Sequence, residues 1–248
     1  MPTQPTAINI PLGIGFYTTS EAAQLVRMPA QKIRRWLSGH NYKIGDELRS
    51  MPALWAPQLP KFDNHQELGF RDLVELRFVN AFVKQGLGLS TIRRCLNYAR
   101  DCIADEHPFS TRQFRTDGRT IFFDFVEQAN AVAATSNDNQ SDDELRSLLD
   151  LKHRQFVFRN VVSQTFKDLD FDERIVTRWR LLAGKDSIVI DPRRAFGQPI
   201  AAGTGTPTVA LDQAVKAEGS VSRVAFLFDL PLQVVRDAMK FEAELRAA

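Results

Sequence analysis

The alternation of apolar and polar positions divides the chain into helical, strand-like and irregular stretches. From Phe16 to about Ile103 the period is that of helices. A first helix starts within Tyr17-Thr18-Thr19-Ser20-Glu21, where Thr18 and Glu21 have capping-box spacing and Thr19 is a competing cap. It places Ala22, Leu25 and Val26 on one face. Met28-Pro29 interrupts it, and Pro29 suits the first turn of a second helix running to about Leu37, because its missing N–H costs nothing there. That helix turns Ile33, Trp36 and Leu37 inward and shows Gln31, Lys32, Arg34 and Arg35 on its other side. After Gly39 come roughly thirty poorly helical residues containing Pro52, Pro57 and Pro60, with Leu54-Trp55 as an apolar anchor. A third helix is expected from near Gly69 through Arg77 to Gly86. A fourth, capped by Ser90, carries Ile92, Cys95, Leu96 and Ala99.

Beyond residue 104 the pattern changes. Residues 105–126 read as a β-hairpin segment, with Asp117-Gly118 as the turn between Phe114 and Ile121, Phe122 and Phe123. Residues 127–143, empty of aromatics and rich in Ala, Asn, Ser, Asp and Gln, read as a linker. A helix-like run restarts near Glu144, and alternating segments follow at Gln155–Thr165, Ile175–Leu182 and Ser187–Ile190, so that 144–186 forms a connecting α/β segment. A Gly/Pro/Thr-rich loop, Asp191–Pro207, leads to helical patterns: Val209–Ala217, Ser220–Phe228 and Leu232–Leu245, the last two joined by Asp229-Leu230-Pro231. Residues 1–15, with three prolines, two glycines and no charge, read as a flexible leader.

Composition narrows the function classes. The 248 residues are 44% hydrophobic and 25% charged with net charge +2, ordinary for a globular protein and incompatible with a polycationic tail. Residues 16–125 hold sixteen Lys/Arg against twelve Asp/Glu, whereas residues 126–248 hold sixteen against eighteen, so the front half is the mildly basic one. No run of apolar residues is long enough to span a membrane, and Met1–Leu12 lacks the features of a signal peptide. Cys95 and Cys102 cannot build a disulfide framework; a reducing cytoplasm is the expected location.

Catalytic chemistry finds no convergent set. His40, His65, His107 and His153 are scattered without metal-ligand spacing. Cys95 and Cys102 read as core thiols, and Asp142-Asp143-Glu144 as a solvated helix start. Gly203-Thr204-Gly205 lacks both the third glycine of a dinucleotide fingerprint and the Gly-Lys-Ser/Thr of a phosphate loop. Phe156, Phe158, Phe166 and Phe171 read as alternating core residues of strands. No enzymatic activity, cofactor or metal is expected.

Two short helices joined by a turn of three or four residues, the second cationic outward, have the geometry that enters a DNA major groove. Gln31 and Lys32 are then the candidates for base edges, while Arg34 and Arg35 could read guanine or neutralise phosphate.

The order of elements resembles the MerR-type winged helix-turn-helix family over about residues 16–104, through Thr19–Ala23, Ile33–Leu37, Asp72–Leu76 and the stretch from Gly86 through Leu89-Ser90 to Ile92-Arg93. The resemblance implies that Pro29–Ser38 is a recognition helix and that Gly39–Leu68 forms a wing from which Lys43 or Arg49 meets phosphate. The sequence departs from the family at Arg27, where glycine is usual in the turn, and in a long, proline-rich wing. Residues 187–245 resemble a small VapB-antitoxin-like domain through the Ile188-Val189-Ile190-Asp191-Pro192 strand end, Gly197-Gln198-Pro199, Gly203–Pro207 and the terminal helices, with Gly205 where arginine is common. That resemblance implies a bacterial toxin–antitoxin role beside a PIN-like ribonuclease toxin.

The expected fold is mainly α with small β elements (α+β): an N-terminal winged helix-turn-helix, a middle β-containing segment and a small C-terminal helical helix-turn-helix domain at 187–248. The expected function is an antitoxin that binds double-stranded DNA at its own operator as a homodimer and neutralises a PIN-like toxin. Two alternatives stay open: a toxin-neutralising protein with weak DNA binding, and a ligand-sensing MerR-type regulator with an effector pocket within Phe109–Arg180.

Overall fold

The computed structural model describes residues 13–45, 47–62, 65–134 and 158–247. Helices dominate, as the periodicity requires. In the front half, α1 (Thr19–Val26) and α2 (Ala30–Ser38) are followed by two antiparallel hairpins, β1 (His40–Ile44) with β2 (Glu47–Met51), then β3 (Lys61–Phe62) with β4 (His65–Gln66). Helices α3 (Phe70–Lys84) and α4 (Leu89–Ile103) come next, then a 3-10 turn at Pro108–Ser110 and the long α5 (Arg112–Ala134). A helix α6, described over 158–166, leads into an antiparallel sheet of order β5 (Leu169–Phe171), β6 (Val176–Arg180), β7 (Ile188–Ile190) and β8 (Pro199–Ala201). Helices α7 (Thr208–Glu218), α8 (Val221–Leu227) and α9 (Leu232–Arg246) complete the chain's described part.

α3 is the central element: Phe70, Leu73, Val74, Leu76, Phe78, Val79 and Phe82 are all buried, on every side of the helix. A helix apolar all round belongs inside. Around it the aromatic side chains pack into one core; Phe78 meets Phe166 at 4.8 Å between ring centroids, and Phe122 stacks on Phe158 at 4.0 Å and 14°. Phe109, Phe114, Phe122, Phe158 and Phe166 thus fill space rather than line a pocket. A second core gathers Leu211, Val215, Val224, Val235, Ala238 and Phe241 of the last three helices. The sheet is where the cores meet, since Ile190 belongs to the front one and Ile188 to the back one.

Two elements differ from the sequence reading. The hairpin expected over 105–126 is instead the 3-10 turn at Pro108–Ser110 followed by the first part of α5. Phe114, Ile121, Phe122, Phe125 and Val126 are buried, and this spacing is a helical stripe. Gly118 lies in that stripe, with the Phe114 ring over its backbone, so the Asp-Gly pair serves close packing rather than a turn. The strand expected at Gln155–Thr165 is helical from residue 158, because Phe158, Val161, Thr165 and Phe166 are buried at helical spacing; residues 155–157 lie outside the described residues. So do Phe156, Asp142–Glu144 and the linker expected at 127–143 from residue 135 onward, whereas 127–134 continue α5.

The expected domain limits are also crossed by contacts. Ile14, assigned to the leader, accepts a hydrogen bond from the Phe70 N–H, and the leader's first twelve residues lie outside the described part. Phe16 N–H donates to the Phe196 carbonyl and the Tyr17 hydroxyl to the Gly197 carbonyl at 2.8 Å, joining front to back. β7, beyond residue 187, pairs with β6, before it. Among the described residues no helix is long and apolar enough to cross a membrane, and no cluster of His, Cys, Asp and Glu suits a metal ion.

Candidate nucleic-acid interface

α1 begins with the capping box that its sequence suggests. Thr18 Oγ1 accepts from Glu21 N–H, and the Glu21 carboxylate accepts from Thr18 N–H at 2.8 Å, so Thr18 is the cap. Thr19, freed from that task, donates its hydroxyl to the Gln66 carbonyl in β4 and ties the helix start to the second hairpin. The helix ends at Arg27, which itself takes the left-handed conformation (φ 54°, ψ 58°) that glycine would adopt more readily. The turn into α2 is therefore tight despite the missing glycine.

α2 buries Ile33, Trp36 and Leu37 against the front core and exposes Gln31, Arg34, Arg35 and Ser38. Arg34 and Arg35 make no ion pair or hydrogen bond with any described residue, and both are exposed, with no described residue of the back half in the groove they line. Lys32 differs from its neighbours. It is half-buried, with Nζ 4.9 Å from the Trp36 ring centroid, so its ammonium is engaged one turn along its own helix.

At its C-terminal end α2 hands the chain to the first hairpin through Gly39, at φ 69° and ψ −178°. A Cβ there would collide with the Met51 carbonyl oxygen. Leu54 N–H donates to the Trp36 carbonyl at 2.7 Å, fixing the far end of the hairpin to the same helix. Behind it, Arg93 donates to the Pro52 and Ala53 carbonyls and Arg100 to that of Leu54.

The two expected wing cations are separated by register. Lys43 faces Leu48 across the ribbon and Tyr42 faces Arg49, so Lys43 and Arg49 project from opposite faces. Lys43 is exposed, with no partner among the described residues. Arg49 pairs with Glu47 at 3.1 Å, but both side chains are more than half exposed, and such a pair holds its guanidinium only weakly.

A groove runs beside α2. It is lined by Gln31, Arg34, Arg35 and Ser38, by the N-terminal residues of α1, and by Lys61 and His65 of the second hairpin. Its one acid on that hairpin's end, Glu67, is held above the ordinary carboxylate range by burial first and by the nearby Glu21 second, with His65 acting in the opposite sense. The start of α1 adds the partial positive charge of a helix N-terminus. Sequence reasoning brought out Gln31, Arg34 and Arg35 but not Lys61 or His65. The signal for these two was the Asp63-Asn64 pair between them, a turn-forming dipeptide; strands of two residues carry no periodicity.

The frame behind the groove rests on a buried polar knot. Asp72, fully buried in α3, accepts from Trp55 Nε1 at 2.8 Å, from the Gln58 and Gly69 N–H groups at 3.0 and 2.8 Å, and lies 2.8 Å from His107 Nε2. Arg71 beside it donates to Ser110 Oγ, to the His107 carbonyl and to Asp105. The loop between the hairpins is thereby bound to α3 and to the segment Asp105–Ser110 that leads into α5.

No protein-family model matches the chain. Over 237 residues, 94% of this chain and 95% of the other, it is 24% identical to a Mycobacterium tuberculosis (strain ATCC 25618 / H37Rv) protein that carries the name "Putative antitoxin VapB45". The X-ray crystal structure of Rv2018 from Mycobacterium tuberculosis matches with a TM-score of 0.67 at 22% identity, covering 93% of this chain and all of that one. The chain thus shares its fold with Rv2018 and is similar, over nearly its full length, to a protein with an antitoxin's name.

Proposed function

We propose that the protein is an antitoxin that binds double-stranded DNA at its own operator as a homodimer and neutralises a PIN-like ribonuclease toxin. The observation that carries the DNA reading is the outward face of α2: Arg34 and Arg35 are exposed and unpaired among the described residues, in a groove with Lys61 and His65. A nine-residue helix spans about 13 Å and reads few bases, so two copies on two half-sites supply the affinity. In this reading Arg34 and Arg35 meet phosphate or guanine and Gln31 a base edge. Lys61 meets backbone, one face of the first hairpin adds Lys43, and Lys32 and Arg49 contribute less. The antitoxin part rests on the similarity to the protein named "Putative antitoxin VapB45".

The test is a gel shift on the DNA upstream of the protein's own gene. Salt-dependent binding that weakens when Arg34 and Arg35 are replaced by alanine is expected; binding indifferent to both changes rejects the assignment.

One observation favours a toxin-holding protein with weak DNA binding. On α8, Phe226 is 84% and Leu227 56% exposed, adjacent apolar side chains open to an apolar surface of a partner. Co-purification with a PIN-like nuclease encoded next to it, lost in Phe226→Asp, together with no operator binding, selects this reading over the first.

A further inference from the structure

The front and back halves enclose a cleft of about 630 Å³. Its walls are the end of α1 (Leu25 to Arg27), one side of α3 (Arg77, Asn80, Lys84), Trp179 of β6 and Phe241 of α9. The volume is that of a small-molecule site.

Its polar groups have a definite sign. Arg77 sends Nη2 to both oxygens of Asp168, at 2.6 and 2.7 Å, with its guanidinium 4.7 Å from the Trp179 ring centroid. Its other terminal nitrogen, Nη1, is buried without a partner among the described residues. Buried donors of this kind are rare, because leaving one unsatisfied is costly. The acids of the cleft are already engaged: Asp168 by Arg77, Asp237 by Lys185 at 2.6 Å, and Glu244 by Arg27 at 3.3 Å and Lys240 at 3.8 Å. Lys84 has no partner among the described residues. Arg77, with its buried Nη1, and Lys84, whose ammonium is free among the described residues, thus line the same cleft as Leu25, Trp179 and Phe241.

We infer that this cleft binds a small organic carboxylate with an apolar body, its carboxylate between Arg77 Nη1 and the Lys84 ammonium and its body against Trp179. Arg77 fits that task because a planar guanidinium already oriented by Asp168 and Trp179 presents its remaining N–H at little further entropic cost. Such a ligand touches α1 just before the turn into α2, and touches α9 as well. It therefore holds the front helix pair against the back half. The site is independent of any nucleic acid, and its failure leaves the operator reading untouched.

The test measures thermal stabilisation and calorimetric binding of three probes, benzoate, 3-phenylpropanoate and hexanoate, against their primary amides, with the full chain and no DNA. At least one carboxylate raises Tm saturably and its amide does not. Lys84→Gln, an exposed change, weakens that binding severalfold. Arg77→Lys, which keeps a cation for Asp168 but removes Nη1, weakens it at least tenfold. Circular dichroism confirms that both variants are folded, and Lys84→Gln carries the test should Arg77→Lys unfold. No stabilisation by any of the three carboxylates, equal stabilisation by the amides, or binding unchanged in Lys84→Gln overturns the inference.

Discussion

Asp72→Asn isolates the knot that supports the hairpins. The change preserves shape and removes an acceptor. In the wild type one carboxylate oxygen serves Trp55 Nε1 and faces His107 Nε2, while the other serves the Gln58 and Gly69 N–H groups. An amide offers one oxygen and one NH₂. With the oxygen toward Gln58 and Gly69, the NH₂ faces Trp55, whose indole can only donate; His107 can adapt by changing tautomer. The reverse orientation strands two backbone donors instead of one and is worse. One orphaned buried donor costs about 1–3 kcal/mol, and the remaining bonds lose their charge assistance, so a total of about 2–4 kcal/mol is expected. Urea denaturation measures it. The structure makes a sharper demand in the Trp55→Phe background. There the donor that asparagine cannot serve is already gone, and Asp72→Asn should cost less by about 1–2 kcal/mol. An equal cost in both backgrounds, or a cost below about 1 kcal/mol in the wild type, refutes the assignment of Asp72 as the acceptor that organises this loop.

Further outcomes follow from single groups. Glu75 is fully buried with Oε2 unpartnered among the described residues, and burial holds its carboxyl well above the ordinary range, against the pull of Arg71. The folded chain therefore binds that proton more tightly than the unfolded one. The resulting stabilisation is complete below the unfolded value of about 4.3 and is lost as pH rises toward the folded value. Glu75→Gln should gain on the wild type as pH rises through that window in urea titrations; a constant difference from acid to neutral pH contradicts this. Gly39→Ala should destabilise by about 2 kcal/mol in the same assay, because its φ and the Met51 carbonyl both exclude a side chain, and a neutral effect counts against the geometry of that junction. The Cys95 thiol is buried and pushed up to about 12 by desolvation, whereas Cys102, expected in the core, is exposed. Alkylation of the native protein near neutral pH should modify Cys102 alone, as read by peptide mass mapping, and rapid labelling of Cys95 contradicts its burial.

The sequence disclosed those elements in which period and punctuation agree. α1 and α2 are bounded by Thr18, Pro29 and Gly39, and Ile33, Trp36 and Leu37 can share only one face. The terminal helices are likewise legible, down to Ser220, whose hydroxyl accepts from the Arg223 N–H. The helix α5 was hidden by Asp117-Gly118, whose turn preference is local and weak beside the burial of Phe114, Phe122 and Phe125 on the aromatic core. In the candidate site, residue identity marked Gln31, Arg34 and Arg35, but engagement is a matter of three dimensions. Only in the folded chain does Lys32 lie over Trp36, do Lys43 and Arg49 face opposite ways, and does Lys61 come from thirty residues away to join the groove. The cleft around Arg77 was invisible for the same reason, since its walls come from helices at both ends of the chain.

The most direct measurement is the salt dependence of affinity for the upstream DNA, by fluorescence anisotropy, in the wild type and in Arg34→Ala/Arg35→Ala. If both guanidinium groups neutralise phosphates, the logarithmic slope becomes shallower by about 2 in the double variant; if one reads a base, by about 1 with relaxed sequence preference. Identical slopes and affinities in the two proteins would contradict a polyanion-binding role for the outward face of α2.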